Sequence, residues 1–171
     1  MIKNYQDYTK PIISIINEKD TEGILDVLYE CFGKFDSREG IRNNLSKRFR
    51  GPSIKLVLKE EIIGVYLLAE KSLNQYIINT KEGNTKEGKE NPKFYIDDVS
   101  DNGIQGIALC LKKEFRGKGY GEMMKDYPKN VFNYDYVWGV ANKGLNNIDD
   151  WLKRRDLFME CDSSYGTWES F

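Results

Sequence analysis

The stretch Leu111-Lys112-Lys113-Glu114-Phe115-Arg116-Gly117-Lys118-Gly119-Tyr120-Gly121 carries four cations and ends in three glycines at alternate positions. It follows an apolar segment, Ile104–Leu111, that reads as a buried central strand, and it opens a short helix from about Gly119 to Tyr127, where Pro128 marks the stop. A strand that runs straight into a helix leaves the first-turn N–H groups unpaired, at the positive end of the helix dipole. Gly117, Gly119 and Gly121 remove side chains that would block a ligand there, and Arg116 and Lys118 add charge. That combination suits a phosphate or pyrophosphate. Two nucleotide-binding motifs do not fit. No Gly-Lys-Ser/Thr is present to complete a GxxxxGK[ST] loop, and the spacing here is GxGxG, late in the chain, rather than the GxGxxG that opens a βαβ unit.

Composition narrows the remaining chemistry. The chain of 171 residues contains no histidine, so histidine-based triads, HExxH metal sites and a histidine base are excluded. Cys31, Cys110 and Cys161 are odd in number and lack CxxC spacing, which argues against a disulfide framework or a zinc site and for a reducing, cytoplasmic setting. A net charge of -1 supplies no global field for nucleic acid, so no DNA partner is expected, although Lys47-Arg48-Phe49-Arg50 is a local basic patch. The longest apolar run, Ile62–Ala69, is too short to span a bilayer, and the polar N-terminus has no signal-peptide core.

The elements that must position the glycine turn follow from periodicity. Ile12–Ile16 reads as a strand. Asp20-Thr21 caps a helix with Ile24, Leu28 and Cys31 on one face, stopped at Gly33. A second helix opens at Ser37 and carries Ile41, Leu45 and Phe49. Ile54–Lys59 and Ile62–Glu70 form a hairpin across Glu60-Glu61. The segment at about 71–102 reads as a flexible insert, with Asn79-Thr80-Lys81-Glu82-Gly83 repeated as Asn84-Thr85-Lys86-Glu87-Gly88. Extended structure resumes at Phe94–Ile96. Beyond the glycine turn come a strand at Tyr136–Val140, a helix capped at Asn146 or Asn147, and a last strand pair around Ser163–Gly166. One domain of mixed α/β type, spanning 1–171, accounts for the order.

At Arg116-Gly117-Lys118-Gly119-Tyr120-Gly121 the chain resembles the GNAT superfamily of N-acetyltransferases, whose pyrophosphate motif R/Q-x-x-G-x-G/A it matches at every fixed position. The lead-in Leu111–Phe115 is similar to that family's Val-x-Pro-Glu-Tyr, with Lys113 in place of proline. The second family signature is matched only at Asn146, Leu152 and Phe158, and Lys153 stands where a tyrosine is usual.

The resemblance implies a mostly antiparallel central sheet flanked by helices, and transfer of an acetyl group from acetyl-CoA directly to a primary amine of a small molecule or protein. It also implies roles. Backbone groups of Leu109 and Leu111 would pair with the pantetheine arm. Phe115, Arg116, Gly117, Lys118, Gly119, Tyr120 and Gly121 would cradle the pyrophosphate, and Asn146 would complete the cofactor site. No metal is implied. For the base, Glu70, Asp97 and Asp98 are candidates; for the acid, Cys161 or Tyr165 stands near the lost tyrosine. The departures at Lys153 and Leu157 keep open a second reading, an inactive CoA-binding or protein-interaction module. A homodimer is compatible with either. Tyr29, Phe32, Phe35 and Tyr95 are candidates for an acceptor pocket or for core packing.

Overall fold

The computed structural model describes residues 9–48, 52–144 and 155–171. Among the described residues, eight strands and four α-helices follow in the order β1 (Ile12–Ile15), α1 (Thr21–Phe32), α2 (Arg38–Arg48), β2 (Ile54–Leu58), β3 (Glu61–Ala69), α3 (Leu73–Lys81), β4 (Lys93–Phe94), β5 (Gly103–Leu111), α4 (Tyr120–Val131), β6 (Tyr136–Asn142), β7 (Asp156–Glu160) and β8 (Ser164–Ser170). The sheet order is β1-β2-β3-β5-β6-β8-β7-β4. β5 and β6 run parallel, whereas β1–β2, β2–β3, β6–β8, β7–β8 and β4–β7 are antiparallel, so the sheet is mixed and mostly antiparallel, as expected.

The chain groups into two compact units. The first comprises Met1–Leu68 and Ala108–Asn130. Its core is the apolar face of α1 (Ile24, Leu25, Val27, Leu28) with Ile54, Leu56, Ile63, Val65 and Met124, all buried. The expected hairpin turn falls one residue earlier, at Lys59-Glu60, where both residues take positive φ (49° and 66°) as a two-residue turn between twisted strands demands. Asp20 does not cap α1 with its side chain; it pairs with Lys55 at 2.7 Å, and Asn17 caps the preceding 3-10 turn instead. Pro128 lies inside α4 rather than ending it. Its missing N–H forfeits one bond near the helix C-terminus, and its buried ring compensates by packing.

The second unit comprises Ala69–Ile107 and Val131–Phe171, around Leu73, Ile77, Tyr136, Trp138, Phe158, Met159 and Cys161. The insert is not the loop that its polar composition predicts. Ser72 caps α3 by accepting from the Gln75 N–H, and Leu73, Ile77 and Thr80 bury one helical face. The repeat closes the element. Gly83 turns the chain at φ +76°, and Thr80 and Thr85, equivalent positions in its two copies, bond hydroxyl to hydroxyl at 3.0 Å. Tyr29, Phe32, Phe35 and Tyr95 are exposed, so none belongs to a core.

Gly103 is required by close packing: a Cβ there would lie 2.3 Å from the Tyr136 ring. Tyr136 is fixed by its own hydroxyl, which donates to the Ser100 carbonyl at 2.6 Å. Gly103→Ala is therefore expected to destabilise the protein by roughly 1–3 kcal/mol, read as a lower urea midpoint.

Candidate functional site

The glycine turn is built in the first unit. β5 ends at Leu111, whose neighbour Lys112 donates its N–H to Ile63 O at 2.8 Å, and a 3-10 turn at Lys113–Phe115 leads to Arg116. Gly117 and Gly119 take φ +77° and +84°, a region that side chains disfavour, and a Cβ at either would meet nothing within 4 Å. The turn is thus an open cradle, with residues 117–119 exposed. α4 starts at once, with the Met123 N–H bonding to Gly119 O, so its first-turn N–H groups face the cradle. Lys118 extends over the Phe115 ring at 5.7 Å and brings a cation to the rim. These residues fit a pyrophosphate held by backbone N–H groups.

Arg116 does something the motif alone does not reveal. Its Nε donates to Leu111 O at 3.0 Å and its Nη2 to Cys31 Sγ at 3.4 Å, so the guanidinium straps the turn onto β5 and α1. The Cys31 thiol is lowered to about 7 by the hydrogen bond from the Cys110 thiol and by the Arg116 charge, while Cys110 is pushed up by Cys31 and by burial. Cys31 is only partly buried. It is expected to react with iodoacetamide along a pH profile with its midpoint near 7, and Arg116→Ala should move that midpoint upward. Because the folded value is depressed, the associated stability is complete above pH about 9 and declines as pH falls through about 7.

β5 is less enclosed than a strand of nearly continuous apolar residues predicts. Residues 105–109 and Leu111 are only partly buried. Its registered pairs with β6 number three, Gly103↔Tyr136 to Gln105↔Trp138. Backbone beyond Gln105 therefore has no registered β6 partner, and Leu109 and Leu111, the residues assigned to a pantetheine arm, lie on this stretch.

The acid–base candidates are dispersed. Asp97 and Asp98 are both exposed, in the segment before β5. Glu70, exposed just after β3, accepts the Tyr134 hydroxyl at 2.5 Å, and burial together with Glu70 pushes that phenol up to about 12. Cys161 is buried and donates to Glu90 Oε2 at 3.2 Å; burial raises its thiol. Tyr165 stands on β8 with the Lys143 ammonium 4.7 Å over its ring. Asn146 lies outside the described residues, as do the helix expected after it and the Lys153 position. Sequence reasoning did not single out Tyr134 or Glu90, and it took Cys31 for a packing residue. Only contacts between distant segments mark these three, and no spacing encodes those.

The second unit holds a cavity of about 720 Å³ beside α3, lined by Lys71, Gln75, Tyr76, Glu87, Gln105 and Trp138 among others. The Tyr76 and Trp138 rings lie 5.1 Å apart, and the indole Nε1 donates to Lys71 O at 2.9 Å. Among the described residues no group of His, Cys, Asp and Glu is arranged to hold a metal ion. No described helix is long and apolar enough to cross a membrane.

Solved structures share this fold. A PaiA N-acetyltransferase from Thermoplasma acidophilum, in complex with coenzyme A, matches with a TM-score of 0.62 at 10% identity over 95% of this chain and 99% of that one. An acetyltransferase from Thermus thermophilus gives 0.63 at 10% identity over 95% and 97%. A GNAT family acetyltransferase from Brucella melitensis, in complex with acetyl-CoA, gives 0.55 at 8% identity over 91% and 88%. The fold is that of the GNAT acetyltransferases. No family model and no curated protein matches the sequence. The GNAT likeness thus lies in the backbone and in one six-residue motif.

Proposed function

We propose that this chain is a GNAT-type N-acetyltransferase that moves the acetyl group of acetyl-CoA directly to a primary amine. The observation that carries the reading is the open turn at Gly117–Gly119, set between a partly accessible strand and the start of α4. GNAT-fold neighbours bound to coenzyme A and acetyl-CoA support it. Acetyl-CoA supplies a thioester carbonyl open to attack by an uncharged amine. The chain's part is to hold and orient. Backbone N–H groups from Phe115 to Gly121 take the pyrophosphate, Arg116 keeps the turn in place, and the backbone of Leu109 to Leu111 takes the pantetheine arm. A carboxylate must accept the proton that the amine loses, and Glu70, anchored by Tyr134, is the best held of the three candidates.

Thermal melting tests the first half of this proposal. Acetyl-CoA at about a hundred times its dissociation constant should stabilise the protein by about 2.7 kcal/mol, a rise of several degrees in Tm. No rise at saturation would refute it. Release of the CoA thiol on addition of an amine panel tests the second half; binding without release would identify a non-catalytic CoA-binding module.

A further inference from the structure

The 3-10 turn at Lys113–Phe115 carries the chain from β5 into the glycine cradle, and it has no cap of its own. Lys112 stands at its N-cap position and makes no capping bond with its side chain. The first N–H of the turn must therefore find its partner elsewhere. The Lys113 N–H donates to Glu30 Oε1 at 2.9 Å, across 83 positions of sequence. Glu30 and Cys31 are consecutive residues in the last turn of α1. They hold opposite ends of the same short turn. Glu30 takes the Lys113 N–H at its start, and Cys31 Sγ takes Arg116 Nη2 at its end. This matters because Gly117 and Gly119 follow at once and give the cradle no stiffness of its own.

A carboxylate is an unexpected neighbour for an anion site. Its charge is felt at the strap: the Cys31 thiol, drawn down first by the Cys110 hydrogen bond and held up by burial, is also raised by the Glu30 charge. That charge opposes a bound anion, so what Glu30 contributes is an acceptor in the right place. We infer that Glu30 is a positioning residue for the cofactor, whose carboxylate oxygen pins the Lys113 N–H and so presents the Phe115–Gly121 backbone in its binding conformation. The inference rests on the acetyl-CoA reading for what the cradle holds, but not for the pin itself.

The test compares Glu30→Ala, which removes the acceptor, with Glu30→Gln, which keeps an oxygen acceptor and removes the charge. Glu22→Ala is the control, since Glu22 lies on the same helix but pairs with Arg38 and Arg42. Glu30 is exposed, so each variant should fold. Acetyl-CoA affinity is read by titration calorimetry, turnover by thiol release, and the pin itself by amide hydrogen exchange at Lys113 without ligand. An unpinned turn is competent for only part of the time, and the apparent Kd rises as that fraction falls. Glu30→Ala should weaken acetyl-CoA binding about tenfold, the scale of one hydrogen bond to a charged group. KM for acetyl-CoA should rise by a similar factor with kcat within about twofold, because saturating cofactor restores the turn. Lys113 exchange should quicken about tenfold. Glu30→Gln should restore affinity and slow exchange to within about threefold of the original chain, and Glu22→Ala should leave both unchanged. Affinity kept in Glu30→Ala, or lost equally in Glu30→Gln or Glu22→Ala, overturns the inference. Lys113 exchange that stays slow in Glu30→Ala overturns it whether or not acetyl-CoA binds. If the unsubstituted chain binds no acetyl-CoA while exchange quickens in Glu30→Ala alone, the pin stands and the cofactor reading is rejected.

Discussion

Gly119→Val is expected to weaken acetyl-CoA binding by about 100-fold while the protein remains folded. Gly119 sits at φ +84° and a Cβ there would meet no atom within 4 Å, so the penalty is conformational rather than steric. Forcing a β-branched residue into the left-handed region costs about 1–2 kcal/mol. The turn escapes that cost by reorienting, which misaims at least one N–H group, and a hydrogen bond to a charged group is worth roughly 1.5–3 kcal/mol. The lost hydrogen bond, at up to about 3 kcal/mol, therefore sets the expected loss, and each 1.4 kcal/mol is tenfold in affinity. Gly83→Val is the matched control. Gly83 also has positive φ (+76°) and open space, but it turns the chain after α3. It should lose similar stability and keep its affinity for acetyl-CoA. Equal losses of affinity in both variants would mean that the substitution acts through general destabilisation, and the cradle assignment would fall.

The contrast between these two glycines shows what the sequence could disclose. Arg116–Gly121 is a local motif, in which a strand, a turn and a helix start lie within a dozen residues, so composition and order were enough to locate it. α1 was equally legible, because Ile24, Leu25 and Leu28 repeat at helical spacing and are buried. α3 was hidden. Its burying residues Leu73, Ile77 and Thr80 are diluted by asparagine, glutamine and lysine, and the polar repeat beside it suggests a loop. What orders that segment is tertiary. Asn74 bonds to both the N–H and the carbonyl of Val99, and Trp138 reaches Lys71 O. The acid–base site was legible only as residue types. Glu70 was a candidate because a carboxylate ends a strand, but its partner Tyr134 is 64 positions away. No single-chain pattern connects two such residues.

That contact separates the three carboxylate candidates experimentally. Glu70→Gln is expected to lower kcat/KM for acetyl transfer by about 100-fold or more, within the range that a positioned general base contributes. Affinity for acetyl-CoA should not change, because the cradle is built from other segments. Glu70 is exposed and keeps an isosteric acceptor as glutamine, so stability should shift little. Asp97→Asn and Asp98→Asn, in the segment before β5, should each change turnover less than about threefold. The Tyr134 phenol supplies a readout that a structural role for Glu70 does not mimic in kinetics. Its pKa, pushed up to about 12 by burial and by Glu70, should fall toward the ordinary tyrosine value of about 10 in Glu70→Gln, visible as tyrosinate absorbance at lower pH. A fall in the phenol pKa without any loss of turnover would leave Glu70 as the anchor of Tyr134 only. The base would then have to be sought at Asp97 and Asp98, where a large effect of either substitution would place it.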